Sequence, residues 1–230
     1  MIYLEQNIKG LCAKHGIDFN TFLKDFGIDS VYEFTLNDLE SIGEEYGIDL
    51  QALLFSPLFD LPHLQEKIKH IKLLILDVDG VMTDGGMYYT ESGDQFKKFN
   101  TKDGLGIIKL IEAGIEVGII SSGFFGEAIK KRASVLGIKH CYVGREPKLE
   151  ILKTWCQELK LELSQVGIIG DDINDLTVMQ HIGFSACPSD AVTEIKMHAD
   201  LILTKKGGEG CVREFISNYY LTTQNKNEQN

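Results

Sequence analysis

The sequence predicts an α/β fold, a doubly wound and mostly parallel β-sheet, preceded by a small all-α domain. Two patterns indicate this class. From residue 73 onward, short apolar runs alternate with segments of helical periodicity, as expected for parallel strands joined by helices on both faces of a sheet. In residues 1–70, apolar residues recur only at helical spacing and no run predicts a strand. We therefore place a helical domain in residues 1–66, an α/β domain in residues 67–221, and a polar, disordered tail in residues 222–230.

The composition is that of an ordinary globular chain with an acidic balance. The 230 residues are 43% hydrophobic and 25% charged, and the formal net charge is −11. This charge disfavours binding to nucleic acid or to an anionic membrane surface, because both attract Lys and Arg. No signal peptide, no membrane-spanning apolar run and no C-x-x-C pair among the five cysteines is found. We therefore expect a cytoplasmic protein without a nucleic-acid or membrane partner.

The helical domain carries its own start signals. Four or five short helices are predicted, beginning near Asp18 or Asn20, at Thr35 and at Asp49. Thr35 is followed at the third position by Asp38, which is the spacing of a capping box.

Two segments of this domain, NIKGLCAKHGIDFNTFLKDFGI and TLNDLESIGEEYGIDLQALLF, resemble the helix-turn-helix domains of phage repressors. Residues 1–70, however, hold five Lys and no Arg against twelve Asp and Glu. A recognition helix normally presents basic and amide groups to the DNA groove. We therefore expect a packing or oligomerisation module rather than a DNA-binding domain.

The α/β domain is predicted to contain six strands, six helices and one hairpin. The strand candidates are residues 73–77, 115–121, 140–143, 166–170, 183–187 and 200–204. The helix candidates are residues 104–113, 124–136, 147–160, 172–181, 190–197 and 210–220. Residues 86–99 predict a β-hairpin, because aromatic pairs flank a polar turn at Gly93. This hairpin follows the first strand directly and would extend as a flap over the carboxyl edge of the sheet.

The first strand ends in two carboxylates. Residues 73–76 are all apolar, which predicts a strand buried on both faces, and they lead directly into Asp77 and Asp79. The carboxyl ends of parallel strands are where open α/β sheets bind ligands. Two carboxylates at such a place are costly unless a cation or partner neutralises them. This stretch alone is compatible with a metal and phosphate site or with a simple turn rich in Asp and Gly.

Three more polar segments follow predicted strands. A small hydroxyl group at Ser121, with backbone N–H groups before the next helix, suits a phosphate oxygen. Lys148 opens a helix, where a cation is unfavourable against the helix dipole and needs a reason. Three carboxylates follow the fourth strand, at Asp171, Asp172 and Asp175. Each segment alone is compatible with a loop, a solvated cation or a helix cap, but together they predict a shared phosphoryl-transfer site.

In this order, the motifs resemble the haloacid dehalogenase superfamily of phosphatases, whose sheet is Rossmann-like. The segments LDVDGVMTDG, FNTKDGLGI, GDDINDLTVM and GGEGCVRE resemble more specifically its 3-deoxy-D-manno-octulosonate 8-phosphate phosphatase branch. The resemblance covers about residues 70–220. It implies a capless phosphatase, a homotetramer in which neighbouring subunits help to cover the site, and a small phosphorylated sugar acid as substrate.

The resemblance also implies individual roles. Asp77 matches the nucleophile that becomes an aspartyl-phosphate, and Asp79 matches the general acid and base. Ser121 and Lys148 match the groups that bind the transferring phosphoryl oxygens. Ser122 and Gly123 lie beside them as substrate-binding candidates.

The implied cofactor is Mg²⁺, which prefers hard oxygen ligands. Its expected ligands are Asp77, Asp79 through the backbone carbonyl, and Asp171. Asp172 is expected to support this metal site, and Asp175 is expected to orient Lys148.

One departure from the branch concerns the substrate. The branch usually has Thr-Gly-Arg where this chain has Ser121-Ser122-Gly123, so a basic group suited to the substrate carboxylate is missing. Lys102 and Arg145 are the candidate replacements. Two alternatives therefore stay open: a nonulosonate (acylneuraminate) 9-phosphate phosphatase of a cytidylyltransferase pathway, and a regulatory protein with a repressor-like head and a phosphatase-like sensor domain.

Overall fold

The computed structural model describes residues 3–15, 17–56, 58, 62–91, 95–123 and 126–221. In these ranges, five α-helices and one 3₁₀ turn (Val31–Glu33) precede the sheet. The α-helices are α1 (Leu4–His15), α2 (Phe19–Asp25), α3 (Leu36–Tyr46), α4 (Leu50–Phe55) and α5 (Pro62–Lys69). The side chains of Asp18, Thr35 and Asp49 each accept a hydrogen bond from a first-turn N–H and so begin α2, α3 and α4. Thr35 and Asp38 form the expected capping box. The predicted series of short helices is therefore confirmed.

Six parallel strands form the main sheet. They are β1 (Leu73–Leu76), β4 (Glu116–Ser121), β5 (His140–Val143), β6 (Val166–Ile169), β7 (Phe184–Cys187) and β8 (Leu201–Ile202). Their order is β5-β4-β1-β6-β7-β8, so the chain winds outward from β1 in both directions. The doubly wound parallel sheet is thus confirmed, although β8 is shorter than the predicted strand over 200–204.

The helices of this domain alternate with the strands. They are α6 (Thr101–Glu112), α7 (Glu127–Leu136), α8 (Lys148–Leu159), α9 (Ile173–Met179), α10 (Thr193–His198) and α11 (Cys211–Glu214). The last continues as a widened helical turn over Phe215–Tyr220. Helix α6 begins three residues before the predicted start because the Asn100 side chain accepts the N–H of Lys102 and caps it.

Residues 86–99 contain the predicted hairpin. Strands β2 (Tyr88–Tyr89) and β3 (Gln95–Phe96) pair antiparallel, and most of their side-chain surface is exposed. The predicted turn at Gly93, the first two residues of the helix predicted over 124–136, and the tail predicted over 222–230 lie outside the described residues.

Both faces of the sheet are covered by apolar side chains. On β1, Leu74 and Leu76 pack with residues of α5, α6, α7 and α11, whereas Leu73 and Ile75 pack with residues of α8, α9 and α10. This alternation is the period of two expected for a strand buried on both sides. Helices α1–α4, which we call the helical module, join the second face and share one continuous cluster with it.

Helix α5 belongs to the other face. Its Leu64 and Ile68 are buried in the cluster that contains Leu74 and Leu76. The boundary predicted between residues 66 and 67 therefore falls inside a helix that packs against the α/β domain.

Among the described helices, none has both the length and the apolar character that crossing a bilayer requires.

Candidate active site

The candidate residues meet because the central strands end together. Leu76 of β1 is in register with Ile119 of β4 and Ile169 of β6. Asp77 continues β1, and its N–H donates to the Ile169 carbonyl at 3.1 Å. The residues after these three strands consequently share one edge of the sheet, as predicted.

A tight glycine contact shapes the loop after β1. Residues Val78–Met82 form a turn whose backbone is not helical at Asp79 and Gly80, and Gly80 has a φ of 87°. A Cβ at Gly80 would overlap the Asp171 carboxylate, and a Cβ at Gly207 would overlap the Gly80 carbonyl. The Gly208 N–H also donates to the Val81 carbonyl at 2.9 Å. The GGEGCVRE segment therefore packs its backbone directly against the loop that follows Asp77.

Lys148 lies between two buried carboxylates. Its Nζ is 3.0 Å from Asp77 Oδ1 and 2.7 Å from Asp175 Oδ1, and all three side chains are buried. The second oxygen of Asp175 accepts the N–H of Asp171 at 3.1 Å. These carboxylates explain why a cation stands in the first turn of α8, against the helix dipole.

The cluster has an excess of negative charge. Burial and then the neighbouring Asp175 raise the pKa of Asp77 to about 7, although Lys148 opposes the shift. Burial, Asp77 and Asp175 raise the pKa of Asp171 to about 8. Burial by itself lowers the pKa of Lys148, but Asp77 and Asp175 outweigh it, so the pKa of the ammonium group is raised. One ammonium group does not balance three carboxylates, so the cluster favours binding of a further cation.

The side chains present fit a divalent metal ion. Asp77, Asp171 and Asp175 each offer a carboxylate oxygen, and these atoms lie within 4.8 Å of one another. Both oxygens of Asp175 already have partners, whereas Asp171 Oδ1 is buried without a hydrogen-bond partner in the described structure. A buried, unpaired carboxylate oxygen is costly, and magnesium would satisfy it. Asp77 and Asp171 are therefore the side chains best placed as ligands.

The Asp79 side chain contacts the hairpin and not Lys148, which is the partner of Asp77. It forms an ion pair with Lys97, the residue after β3, and Asp79 Oδ1 also accepts from the Thr83 hydroxyl at 3.3 Å. The sequence did not identify Lys97 as the partner of Asp79, because lysines in a predicted hairpin are normally exposed to solvent. The period of two places adjacent strand residues on opposite sides, but it does not show which of two adjacent lysines faces Asp79.

The serines at the end of β4 also reach the site edge. Ser121 is buried, and the exposed Ser122 hydroxyl accepts a hydrogen bond from Asn174 Nδ2 at 3.3 Å. Asn174 lies beside Asp175 in the first turn of α9. Its presence between the carboxylates of GDDIND was the only sequence signal for this contact.

The two candidates for the substrate carboxylate are not buried. Lys102 is exposed in the first turn of α6 and borders a groove with Lys205, Glu209 and Arg213. Arg145 is exposed in the turn between β5 and α8. Their role in substrate binding stays a prediction.

Comparison with known proteins agrees with this geometry. The family model of haloacid dehalogenase-like hydrolases matches residues 146–216. The 3-deoxy-D-manno-octulosonate 8-phosphate phosphatase of Salmonella typhimurium is 38% identical over 165 residues, which cover 72% of this chain and 87% of that protein. The phosphatase of the same name from Yersinia pestis is 39% identical over 163 residues, covering 71% and 86%.

Solved structures of the same kind of phosphatase also resemble this chain. The Yersinia pestis phosphatase is 37% identical, with a TM-score of 0.70 over 76% of this chain and 92% of that one. The Moraxella catarrhalis phosphatase, solved in complex with a magnesium ion, a phosphate ion and a KDO molecule, is 35% identical, with a TM-score of 0.69 over 74% and 95%.

The fold and the acidic site at the carboxyl edge of its sheet are those of a haloacid dehalogenase-like hydrolase. Within that class, the chain belongs to the 3-deoxy-D-manno-octulosonate 8-phosphate phosphatase family.

Proposed function

We propose that this protein is a magnesium-dependent phosphatase that hydrolyses 3-deoxy-D-manno-octulosonate 8-phosphate through an aspartyl-phosphate. The observation that carries the proposal is the buried arrangement of Asp77, Lys148 and Asp171, in which a strand-end carboxylate is paired with a lysine and faces an unpartnered carboxylate oxygen. The relatives named above supply the substrate.

Asp77 is the proposed nucleophile. Its carboxylate attacks the phosphorus atom, and the bond from phosphorus to the sugar oxygen breaks. Asp79 acts here in its protonated form and gives that proton to the departing sugar oxygen. Asp79 then takes a proton from water, the water oxygen attacks the phosphorus of the aspartyl-phosphate, and phosphate leaves with Asp77 restored.

Three other side chains support this chemistry. Lys148 neutralises charge on the phosphoryl oxygens, and Asp175 holds Lys148 in place through the contact of 2.7 Å. The buried Ser121 hydroxyl, at the end of the strand beside β1, is the proposed donor to a phosphoryl oxygen.

Asp77, Asp171 and the backbone carbonyl of Asp79 are the proposed magnesium ligands. When bound there, magnesium supplies positive charge that offsets the repulsion between the nucleophile and the phosphoryl group. Asp172, which caps α9, is proposed to support Asp171 from the adjacent position.

We also propose a homotetramer in which a neighbouring subunit covers the flap. Met87, Tyr88, Tyr89 and Phe96 of the hairpin expose between 52% and 66% of their surface. Apolar side chains grouped in this way on a surface are typical of an interaction site. Light scattering on the purified chain measures the assembly, and a monomer would contradict this part of the proposal.

The substrate is tested by phosphate release from a panel of compounds. The panel contains an octulosonate 8-phosphate, a nonulosonate 9-phosphate and glucose 6-phosphate, each with magnesium or with a chelator. We expect the highest kcat/KM for the octulosonate compound and loss of turnover with the chelator. A preference for the nonulosonate compound would favour the alternative left open by Gly123, which stands where the family usually has Arg. Absence of turnover with every compound would overturn the proposed function, and Asp77→Asn, prepared in the same way, controls for contaminating phosphatases.

A further inference from the structure

The side chain of Lys97 is buried, whereas the residues on either side of it in the hairpin, Phe96 and Lys98, are exposed. The Lys97 side chain is 5% exposed, and its ammonium group is paired with Asp79, whose side chain is 41% exposed. An ammonium group is costly to bury unless it is paired. The pairing with Asp79 therefore fixes where the second strand of the hairpin lies.

The next residue provides a comparison. Lys98 is 70% exposed, and its Nζ lies 3.5 Å from Asp84. A pair of this kind is screened by water and contributes little to stability. Of these two adjacent lysines, only Lys97 has its ammonium group buried, and only Lys97 is paired with Asp79, the candidate general acid and base.

The side-chain contacts of Asp79 involve only one of its two carboxylate oxygens in the described structure. In the described part of the chain, the ion pair with Lys97 uses Oδ1, and the Thr83 hydroxyl, which shares its proton with the Val78 carbonyl at 3.1 Å, lies 3.3 Å from the same oxygen. Thr83 is itself buried. The carboxyl group is thus held through one oxygen, and Oδ2 is left for the oxygen of a leaving group or of water.

We propose that Lys97 is a positioning residue that fixes the Asp79 carboxyl group for proton transfer and, through it, ties the hairpin to the catalytic loop. The inference rests on the proposed function, since the orientation of Asp79 matters for turnover only if Asp79 handles the proton. Lys97 itself need not touch the substrate.

A positioning role has a kinetic signature that a structural role lacks. A sugar alkoxide is a poor leaving group and needs the proton from Asp79, whereas p-nitrophenolate departs without it. The kcat/KM for each substrate reports the steps up to this departure. Loss of Lys97 should therefore lower kcat/KM for an alkyl phosphate much more than for p-nitrophenyl phosphate.

The experiment compares Lys97→Met, Lys97→Arg and Lys98→Met in the full chain, with glycerol phosphate, the octulosonate phosphate and p-nitrophenyl phosphate as substrates. General acid catalysis typically contributes about 10²- to 10⁴-fold. We expect Lys97→Met to lose about 30-fold or more with the two alkyl phosphates and less than about threefold with p-nitrophenyl phosphate. Lys97→Arg should recover most of the loss, and Lys98→Met should behave as wild type.

Two failures are distinguishable. If the wild-type chain releases no phosphate from any substrate, the proposed function fails. If it does turn over, and Asp79→Asn shows the leaving-group dependence while Lys97→Met lowers all substrates equally or none, the positioning role is overturned. Should Lys97→Met fail to fold by circular dichroism, Lys97→Gln is judged by the same criterion.

Discussion

Lys148 and Asp175 form a fully buried ion pair, with 2.7 Å between Nζ and Oδ1. The other oxygen of Asp175 accepts the N–H of Asp171 at 3.1 Å. One carboxylate on α9 thus holds both the lysine that faces the nucleophile and the backbone of the loop that carries a proposed metal ligand.

Asp175→Asn should weaken both functions of this carboxylate. The amide keeps the size of the side chain but leaves Lys148 with only Asp77 as a charged partner. Breaking a buried pair in this way typically costs about 3–5 kcal/mol in the free energy of unfolding. We expect kcat/KM to fall by about 10- to 100-fold, the usual effect of losing a side chain that orients a metal site. Urea unfolding and phosphate release measure the two effects.

Glu150→Gln is the matched control for that variant. Glu150 pairs with Lys153 at 2.8 Å on the surface of α8. Removing an exposed pair should change stability by less than about 1 kcal/mol. Equal effects of the two substitutions would contradict the role given to Asp175.

Asp77→Asn and Asp79→Asn should stop the reaction at different points. Without its nucleophile, the first variant should lose on the order of 10⁴-fold or more in kcat and form no phosphoenzyme. The second should still be phosphorylated by p-nitrophenyl phosphate and then hydrolyse the adduct slowly, because no base activates water. Mass spectrometry of acid-quenched enzyme detects an adduct of one phosphoryl group. A phosphorylated Asp77→Asn chain would refute the nucleophile assignment.

Gly207→Ala tests the contact between the GGEGCVRE segment and the catalytic loop. The new Cβ would overlap the Gly80 carbonyl, which cannot retreat because Gly80 itself lies against Asp171. Overpacking of this kind typically costs about 1–3 kcal/mol. We expect a higher magnesium concentration for half-maximal activity, since the displaced loop carries Asp79 and presses on Asp171. Gly86→Ala should be mild, because its nearest neighbour is the exposed, movable Asp84 side chain.

The sequence was sufficient to predict the sheet and the edge at which the candidate residues meet, for a physical reason. Apolar runs identify buried strands, and parallel strands bring their carboxyl ends to one edge, so Asp77, Ser121 and Asp171 had to lie close together. The contact between Lys148 and Asp175 was expected from the family resemblance, and the position of Lys148 agreed with it, because a cation in the first turn of a helix is unfavourable against the dipole.

The remaining features depend on contacts that no periodicity encodes. Lys97 of the hairpin contacts Asp79 of the loop after β1, whereas its neighbour Lys98 has the same side chain and remains exposed to water. Helical spacing showed that α5 has an apolar face but not which side of the sheet that face covers. Leu64 and Ile68 pack on the side opposite to the helical module, so the predicted boundary fell inside the helix.

Asp103 should make stability depend on pH. Its Oδ1 accepts the N–H of Arg213 at 2.7 Å, its Oδ2 is buried without a partner in the described structure, and burial raises its pKa from 3.8 to about 6. The folded state therefore binds this proton more tightly than the unfolded state. The resulting stabilisation is complete below about pH 4 and is lost as the pH rises through about 6, by up to about 3 kcal/mol.

Asp103→Asn isolates this contribution, since the amide does not titrate and its oxygen can keep the hydrogen bond from Arg213. The free energy of unfolding of wild type minus that of the variant should decrease between about pH 4 and pH 7. All other titrating groups are common to both chains and cancel. A difference that stays constant over this range would contradict the buried-carboxyl interpretation.

The helical module should support the metal site without being required for chemistry. Asp49 of the module lies 3.9 Å from Lys196 of α10, and the Val192 N–H at the start of that helix donates to the Asp171 carbonyl at 3.0 Å. Removing the module uncovers one face of the α/β domain and frees α10. We expect a chain of residues 62–230 to release phosphate but to need more magnesium.

A chain of residues 67–230 is the informative comparison, because it begins inside α5 and also lacks the buried Leu64. Losing a buried leucine costs about 2–5 kcal/mol, so the shorter chain should unfold at a markedly lower urea concentration than residues 62–230. If the two chains are equally stable, α5 is not part of the phosphatase core, and the boundary between residues 66 and 67 is the better one. If residues 62–230 bind magnesium as tightly as the full chain, the helical module does not affect the metal site through α10.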